Sequence, residues 1–393
     1  MTPSTITKHN DVTGTSSSPS SLLFPLPESP TFTNTIAQYI GTTKFEPDPL
    51  ISSILLTGGL GFIPSWLVRH LVFTYPEYQV VCIDNCGYCS SLNNINECST
   101  QPNFVYEYCD VTNREEVLRI MRKHKVDAVI HMAAESHVDH SFGDPNRFTR
   151  TNVIGTQTIL EATKIINEEV AASPDSGRRH ICKFIHMSTD EVYGEAVGSD
   201  EDLLESAILV PTNPYAASKA AGDMYVSAYL KSFGVPAIIV RCNNIYGPMQ
   251  FPEKIIPRFI RLLQQGKKCS LHGDGSNLRR YLYVVDAVNA LDTILHHGIV
   301  GKIYNAGSDN ELTNTEVARV LLIKFGKLSP QSTKQDMLPF IEFTKDRPFN
   351  DARYAIDSTR LRKLGWMPTV DFNTGIQLTI DWYNQNTDAW WEA

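Results

Sequence analysis

Residues 51–64 read ISSILLTGGLGFIP: an apolar run of strand length stops at Thr57-Gly58-Gly59, and past Gly61 an amphipathic stretch of helical period begins. A strand that feeds a helix through glycines turns tightly and leaves the first N–H groups of the helix without intrahelical partners. That is a seat for a pyrophosphate. The next apolar run, YQVVCID at 78–84, ends in Asp84, placed to accept hydrogen bonds from a ribose diol and to repel a 2′-phosphate. Turn and acid together predict a dinucleotide site for NAD, with Gly58, Gly61, Phe62, Ile63 and Asp84 touching the cofactor. Pro64 stands where a small residue usually lets helix and sheet pack closely. Proline is tolerated in a first helical turn, so a shifted helix start and intact binding are expected.

Working outward, FVYEYCD at 104–110, DAVIHMAA at 127–134, CKFIHMST at 182–189 and AIIVRCNN at 237–244 repeat the pattern of a β-rich run followed by a longer amphipathic stretch. Six βα units in succession predict an α/β fold with a doubly wound parallel sheet, whose ligands lie beyond the carboxyl ends of the strands. Asp110 and Val111 then fall near the adenine, and Ala133 and Ala134 let the cofactor pass close to the backbone. Residues 1–49, rich in Ser, Thr and Pro, are expected to be a disordered tail. Residues 50–248 are expected to form the NAD-binding unit with the catalytic residues. Residues 249–393 form mainly a smaller substrate-binding lobe, interleaved with the last sheet elements. Two stretches, 167–180 and 197–209, read as surface insertions.

The 393 residues are 42% hydrophobic and 20% charged, enough for a full core. No apolar run approaches the roughly 20 residues that span a bilayer. The first residues lack a signal-peptide pattern, so a cytoplasmic protein is expected. A formal charge of −8 disfavours nucleic-acid or acidic-membrane surfaces, while a local Arg/Lys pocket can still hold a diphosphate. Cys86 and Cys89 lack a second close pair, so free thiols and no metal centre are expected.

Tyr215-Ala-Ala-Ser-Lys219 follows the turn PTNP and opens a helix, which places Tyr215 and Lys219 one turn apart on one face. Upstream, the fifth strand ends in MSTDEVYG, with Thr189 at its terminus. A hydroxyl residue, a tyrosine and a lysine on one sheet edge suit removal of a proton from an alcohol, with Lys219 lowering the tyrosine pKa. Asp190 and Glu191 carry more information. They point to opposite faces of a strand unless the chain leaves extended geometry there. If it does, one carboxyl can serve as acid and the other as base.

STDEVYG at 188–194 followed by PTNPYAASK strongly resembles the dTDP-glucose 4,6-dehydratases and the UDP-glucose 4,6-dehydratase domain of plant rhamnose synthases. So do HMAAESHVDHSF, NNIYGPMQFPEKIIP, LHGDGSNLRRYLYVVD, DRPFNDARY and LGWMP, in order, from about Ile51 to the C-terminus. The resemblance implies the Rossmann fold of extended short-chain dehydrogenases/reductases, NAD, and a nucleotide-diphosphate-glucose substrate. It assigns Thr189 to the C4 hydroxyl, Asp190 as acid for the C6 hydroxyl, Glu191 as base for the C5 proton, and Tyr215 with Lys219 to C4 oxidation. Substrate contacts follow at Ser136, Asn244, Lys254, Arg279, Asn314, Arg347 and Asn350. It also implies a homodimer through helices including the one that starts near Tyr215, and a downstream epimerase/reductase as a possible partner. Asn85 replaces a lysine of the bacterial pattern, and Asn350 replaces a histidine, which makes DRPFND look like the plant and fungal UDP-glucose enzymes. Two alternatives stand beside this reading: a 4-epimerase or decarboxylase on the same scaffold, which needs no carboxyl pair, and a non-catalytic NAD-binding scaffold, which would not need Tyr215 or Lys219.

Overall fold

The computed structural model describes residues 39–196 and 201–392. Its centre is a seven-stranded sheet in which every pairing is parallel. The six strands expected from the sequence are β1 (Ser53–Thr57), β2 (Gln79–Asp84), β3 (Phe104–Tyr108), β4 (Ala128–His131), β5 (Lys183–Thr189) and β6 (Ala237–Cys242). Further on come β7 (Asn244–Tyr246), β8 (Cys269–His272), β9 (Leu278–Tyr283), β10 (Ile303–Ala306), β11 (Glu311–Thr313) and β12 (Ile341–Thr344). The main sheet runs β10-β6-β5-β4-β1-β2-β3, so the order reverses between β1 and β4. A cleft opens at that switch point. β1, β4, β5 and β6 are buried along their whole length, which is why they lack the strict apolar–polar alternation of a half-exposed strand.

The crossovers are α1 (Phe62–Thr74), α2 (Arg114–Lys123), α3 (Val138–Gly143), α4 (Pro145–Phe148), α5 (Thr156–Ala172) and α6 (Pro214–Phe233). After them come α7 (Ile255–Gln264), α8 (Val284–His297) and α9 (Asn314–Lys324). Helices α2, α5 and α6 pack in sequence on one face of the sheet, and α1 packs against α8 on the other. Strand β10 thus returns residues 303–306 of the C-terminal half to the main sheet, beside β6. The rest of that half forms a three-stranded sheet β11-β9-β7 and the pair β12-β8.

Two expectations change. Residues 39–49, grouped by composition with the tail, lie against α1 and α8. Thr42 and Thr43 donate to Asn289, Thr43 to Asp292, Phe45 N to Tyr75 and Asp48 N to Tyr78. Buried acceptors on α8 and just past the end of α1 supply partners that composition cannot reveal. Residues 1–38 of the expected tail lie outside the described residues. The stretch 167–180 is not an insertion in its first part, because α5 continues to Ala172. Residues 201–209 lie at the surface but are anchored, because Leu203 bridges to Ile356 and Asp202 pairs with Arg280 at 2.6 Å. Residues 197–200 lie outside the described residues.

Candidate active site

Gly58 takes φ +74°, and a Cβ there would stand 2.7 Å from the Cα of Ala133. The turn therefore touches the end of β4, which brings two strand ends to one ligand site. Helix α1 starts at Phe62 with Gly61 as N-cap, and its first intrahelical bond is Ser65 N to Gly61 O. Pro64 occupies the third helical position, where an N–H has no intrahelical partner, so its ring costs the helix nothing. The N–H groups of Phe62 and Ile63 stay free for phosphate. Gly58→Ala combines a left-handed backbone with a clash against main chain, each worth about 1–3 kcal/mol. A drop of several degrees in the thermal midpoint is expected, and an unchanged midpoint would mean that the turn is not in contact with β4.

Asp84 is buried at the end of β2. It accepts from Leu60 N at 3.1 Å, Cys86 N at 2.8 Å and Ser90 Oγ at 3.1 Å. Burial raises its pKa, and these donors pull it back. The acid thus also ties the glycine turn to the loop after β2, and its spare lone pairs suit a ribose diol. Val111, Ala133 and Ala134 line the cleft as expected. Asp110 does not: its carboxylate is taken up by Thr112 and by Asn85 Nδ2, at the rim. A pocket built from glycines, free helix N–H groups and a ribose-facing acid fits an NAD-type dinucleotide.

Beyond β5 the chain leaves extended geometry, as two cooperating carboxyls require. Thr189 caps a single 3₁₀ turn, Asp190–Tyr193, and accepts from Glu191 N. Glu191 lines the cleft, whose cavity volume is about 410 Å³. Asp190 lies behind that wall, 2% exposed, with Asn243 Nδ2 donating to it at 2.6 Å and Thr189 Oγ1 at 3.2 Å. Burial, then the neighbouring Glu191 charge, raise Asp190 to about 7. Glu191 is raised by burial too, but Arg279, Asn213, Lys254 and Arg347 all draw it back down. The pair therefore splits into a carboxyl that keeps its proton near neutrality and a carboxylate amid cations.

Tyr215 and Lys219 stand on the buried face of α6, whose start is capped by Asn213, the residue that also donates to Glu191 at 3.2 Å. Burial, then Glu191, raise the Tyr215 pKa, while the Thr189 hydroxyl lowers it. The lowering expected from Lys219 does not offset these effects. Its Nζ donates to Met187 O at 2.6 Å, and burial brings the ammonium down to about 8.

The remaining expected contacts, Ser136, Asn244, Lys254, Arg279, Asn314, Arg347 and Asn350, all line the same cleft. Several are fixed by one another. Lys254 Nζ donates to Ser136 O at 2.6 Å, and Arg347 Nε to Asp139 at 2.6 Å. Arg279 is held by Asn350 Oδ1 at 3.1 Å and lies over the Tyr354 ring. Asn350 is thus placed to orient a guanidinium. Sequence reasoning missed Asn213, Asn243 and Asn152 as site residues. The first could have been found as a helix cap before Pro214. Asn152 sits in a π turn, Thr149–Gly155, and bonds both Glu135 main-chain groups and Ser218. No sequence signal marks a π turn.

A Rossmann sheet with a glycine turn, a strand-end acid and a Thr–Tyr–Lys set on one edge defines the class of extended short-chain dehydrogenases/reductases. A family model described as GDP-mannose 4,6 dehydratase matches residues 55–379, and the chain belongs to that family. It is 43% identical over 353 residues to a trifunctional UDP-glucose 4,6-dehydratase/UDP-4-keto-6-deoxy-D-glucose 3,5-epimerase/UDP-4-keto-L-rhamnose-reductase of Arabidopsis thaliana, covering 89% of this chain and 49% of that one. The chain thus spans about half the length of that plant relative. To the dTDP-glucose 4,6-dehydratase of Neisseria meningitidis it is 38% identical, covering 86% of this chain and 95% of the other. The crystal structure of dTDP-glucose 4,6-dehydratase from Streptomyces venezuelae with NAD and TYD bound superposes with a TM-score of 0.77. It shares 36% identity and covers 86% of this chain and 99% of that one.

Proposed function

We propose that this chain is an NAD-dependent nucleotide-sugar 4,6-dehydratase, converting UDP-glucose to its 4-keto-6-deoxy derivative. The observation that carries the reading is the carboxyl pair, with Asp190 raised to about 7 behind the cleft wall and Glu191 facing a cation-rich pocket. Epimerisation at C4 needs no such pair. NAD, when bound, supplies the acceptor for the C4 hydride and the hydride that arrives at C6. Tyr215 Oη takes the C4-OH proton, with Thr189 Oγ1 orienting that hydroxyl and Lys219 holding the tyrosine in its working position. The 4-ketone makes the C5 proton acidic, and the Glu191 carboxylate removes it. Asp190, which the cleft wall covers, must turn into the cleft to protonate the C6 hydroxyl as it leaves as water. Arg279 and Arg347 match diphosphate oxygens.

Uridine over thymidine is supported only by Asn350 within DRPFNDARY, where the segment resembles the plant and fungal UDP-glucose enzymes. Mass spectrometry after parallel incubation with UDP-glucose and dTDP-glucose tests the activity, and loss of one water from the hexosyl group is expected. In a competition the UDP sugar should win, whereas a tenfold kcat/KM advantage for dTDP-glucose, about 1.4 kcal/mol, would reverse the assignment. If neither sugar loses water, the dehydratase reading itself fails. The product suits rhamnose-type deoxysugar synthesis, with a separate epimerase/reductase consuming it. A homodimer through helices that include α6 is supported by Met224 and Tyr225, exposed on α6.

A further inference from the structure

At the mouth of the cleft, away from the carboxyl pair, three residues that no step above uses converge. His137 caps α3 and His140 lies within its first turn, while Glu253 comes from the loop after β7. One ligand atom from each lies within 4.8 Å of the others, and the two imidazole centroids are 4.5 Å apart. We infer that His137, His140 and Glu253 form a binding site for a divalent transition-metal ion of the Zn²⁺ type, which pins α3 to the loop after β7 and narrows the cleft.

The donor set favours that class: two imidazoles and one carboxylate with an open fourth position suit a borderline ion such as Zn²⁺, and not Mg²⁺ or Ca²⁺. Tetrahedral ligands about 2.0–2.1 Å from the metal stand roughly 3.4 Å apart, so the set must contract by up to about 1.4 Å. His140 is exposed and can swing to make up that distance. The Glu253 carboxylate is half-buried, and the bond it accepts comes from a neutral group, Tyr88 Oη at 2.8 Å. The same hydroxyl lies 3.4 Å from His140 Nδ1, so it faces two of the three ligands and can complete or hydrogen-bond the coordination sphere. Lys254, next in sequence to Glu253, points its ammonium at Ser136 O instead. Lys254 repels a cation, so the site should be of moderate affinity and regulatory. It is not a resident centre.

The test is calorimetric titration of the chelator-treated full chain with Zn²⁺, without substrate, alongside His140→Asn and Glu253→Gln. One equivalent should bind, and each variant should weaken binding by at least the ~100-fold that loss of even an outer-sphere partner can cost. Co²⁺ in the site should show tetrahedral visible bands without thiolate charge transfer. Saturating Zn²⁺ should slow turnover of the native chain at least tenfold, reversibly with chelator, and leave His140→Asn turnover unaffected. Native-like Zn²⁺ affinity in the variants overturns the site, as does a thiolate band from Cys86 or Cys89. Binding without inhibition overturns the narrowing of the cleft. Only that last arm rests on the proposed dehydratase activity. The isotherm and the cobalt spectrum read the site whether or not the enzyme assignment holds.

Discussion

Glu191→Gln is expected to slow turnover by about 10²–10⁴-fold, the contribution of a positioned general base. The substitution keeps the shape and the Asn213 contact while removing a carboxylate that lines the cleft with Tyr215. Oxidation at C4 depends on Tyr215 and should suffer less, so the loss should fall on C5 proton removal. Isotopes separate the steps. With the native chain in D₂O, the product should gain deuterium at C5, since a proton held by Glu191 exchanges with solvent before it returns. Deuterium placed at C4 should reappear at C6, because a hydride held inside the closed site cannot exchange. In the variant, C5 exchange should fall with turnover. Native turnover by Glu191→Gln, or C4 deuterium washing into solvent, would overturn the mechanism even with the fold intact.

Tyr215→Phe should cost a comparable 10²–10⁴-fold but block the reaction one step earlier. The ring keeps its place on the buried face of α6, and only the hydroxyl is lost. Without the 4-ketone the C5 proton is never acidified, so C5 exchange should vanish although Glu191 is intact. A primary kinetic isotope effect from C4 deuterium should also become visible in the variant's residual rate, because hydride departure is then limiting. The same effect should be muted in Glu191→Gln, where the slow step lies after it. If Tyr215→Phe still exchanges C5 at the native rate, the base for C4 oxidation lies elsewhere. Calorimetric melting of both variants controls for stability, and both should stay near the native midpoint, since each loses at most one hydrogen bond.

What could be read in the residues was whatever local rules govern. The β-branched runs of 51–58 through 237–244 became β1 to β6, of which β1, β4, β5 and β6 are buried on both faces, where apolar residues are favoured. The spacing of Tyr215 and Lys219 follows from the pitch of one helix, and Gly58 from one positive φ. The strand ends named the cofactor residues and the resemblance the substrate contacts and catalytic roles, and all of the expected site residues but Asp110 and Asp190 line the cleft. The sequence could not say how those side chains are held. The two carboxyls are held by Asn243, 53 residues from Asp190, and by Asn213, 22 residues from Glu191, while burial and the cations around Glu191 decide which keeps its proton. Arg279 is oriented by Asn350, 71 residues away. Residues 39–49 are ordered by Asn289 and Asp292, more than 240 residues on. Each of these is a hydrogen bond between groups that the fold alone brings within 3.3 Å. Periodicity reports on neighbours one turn or one pleat away, and carries no information on contacts made after the chain has crossed the sheet.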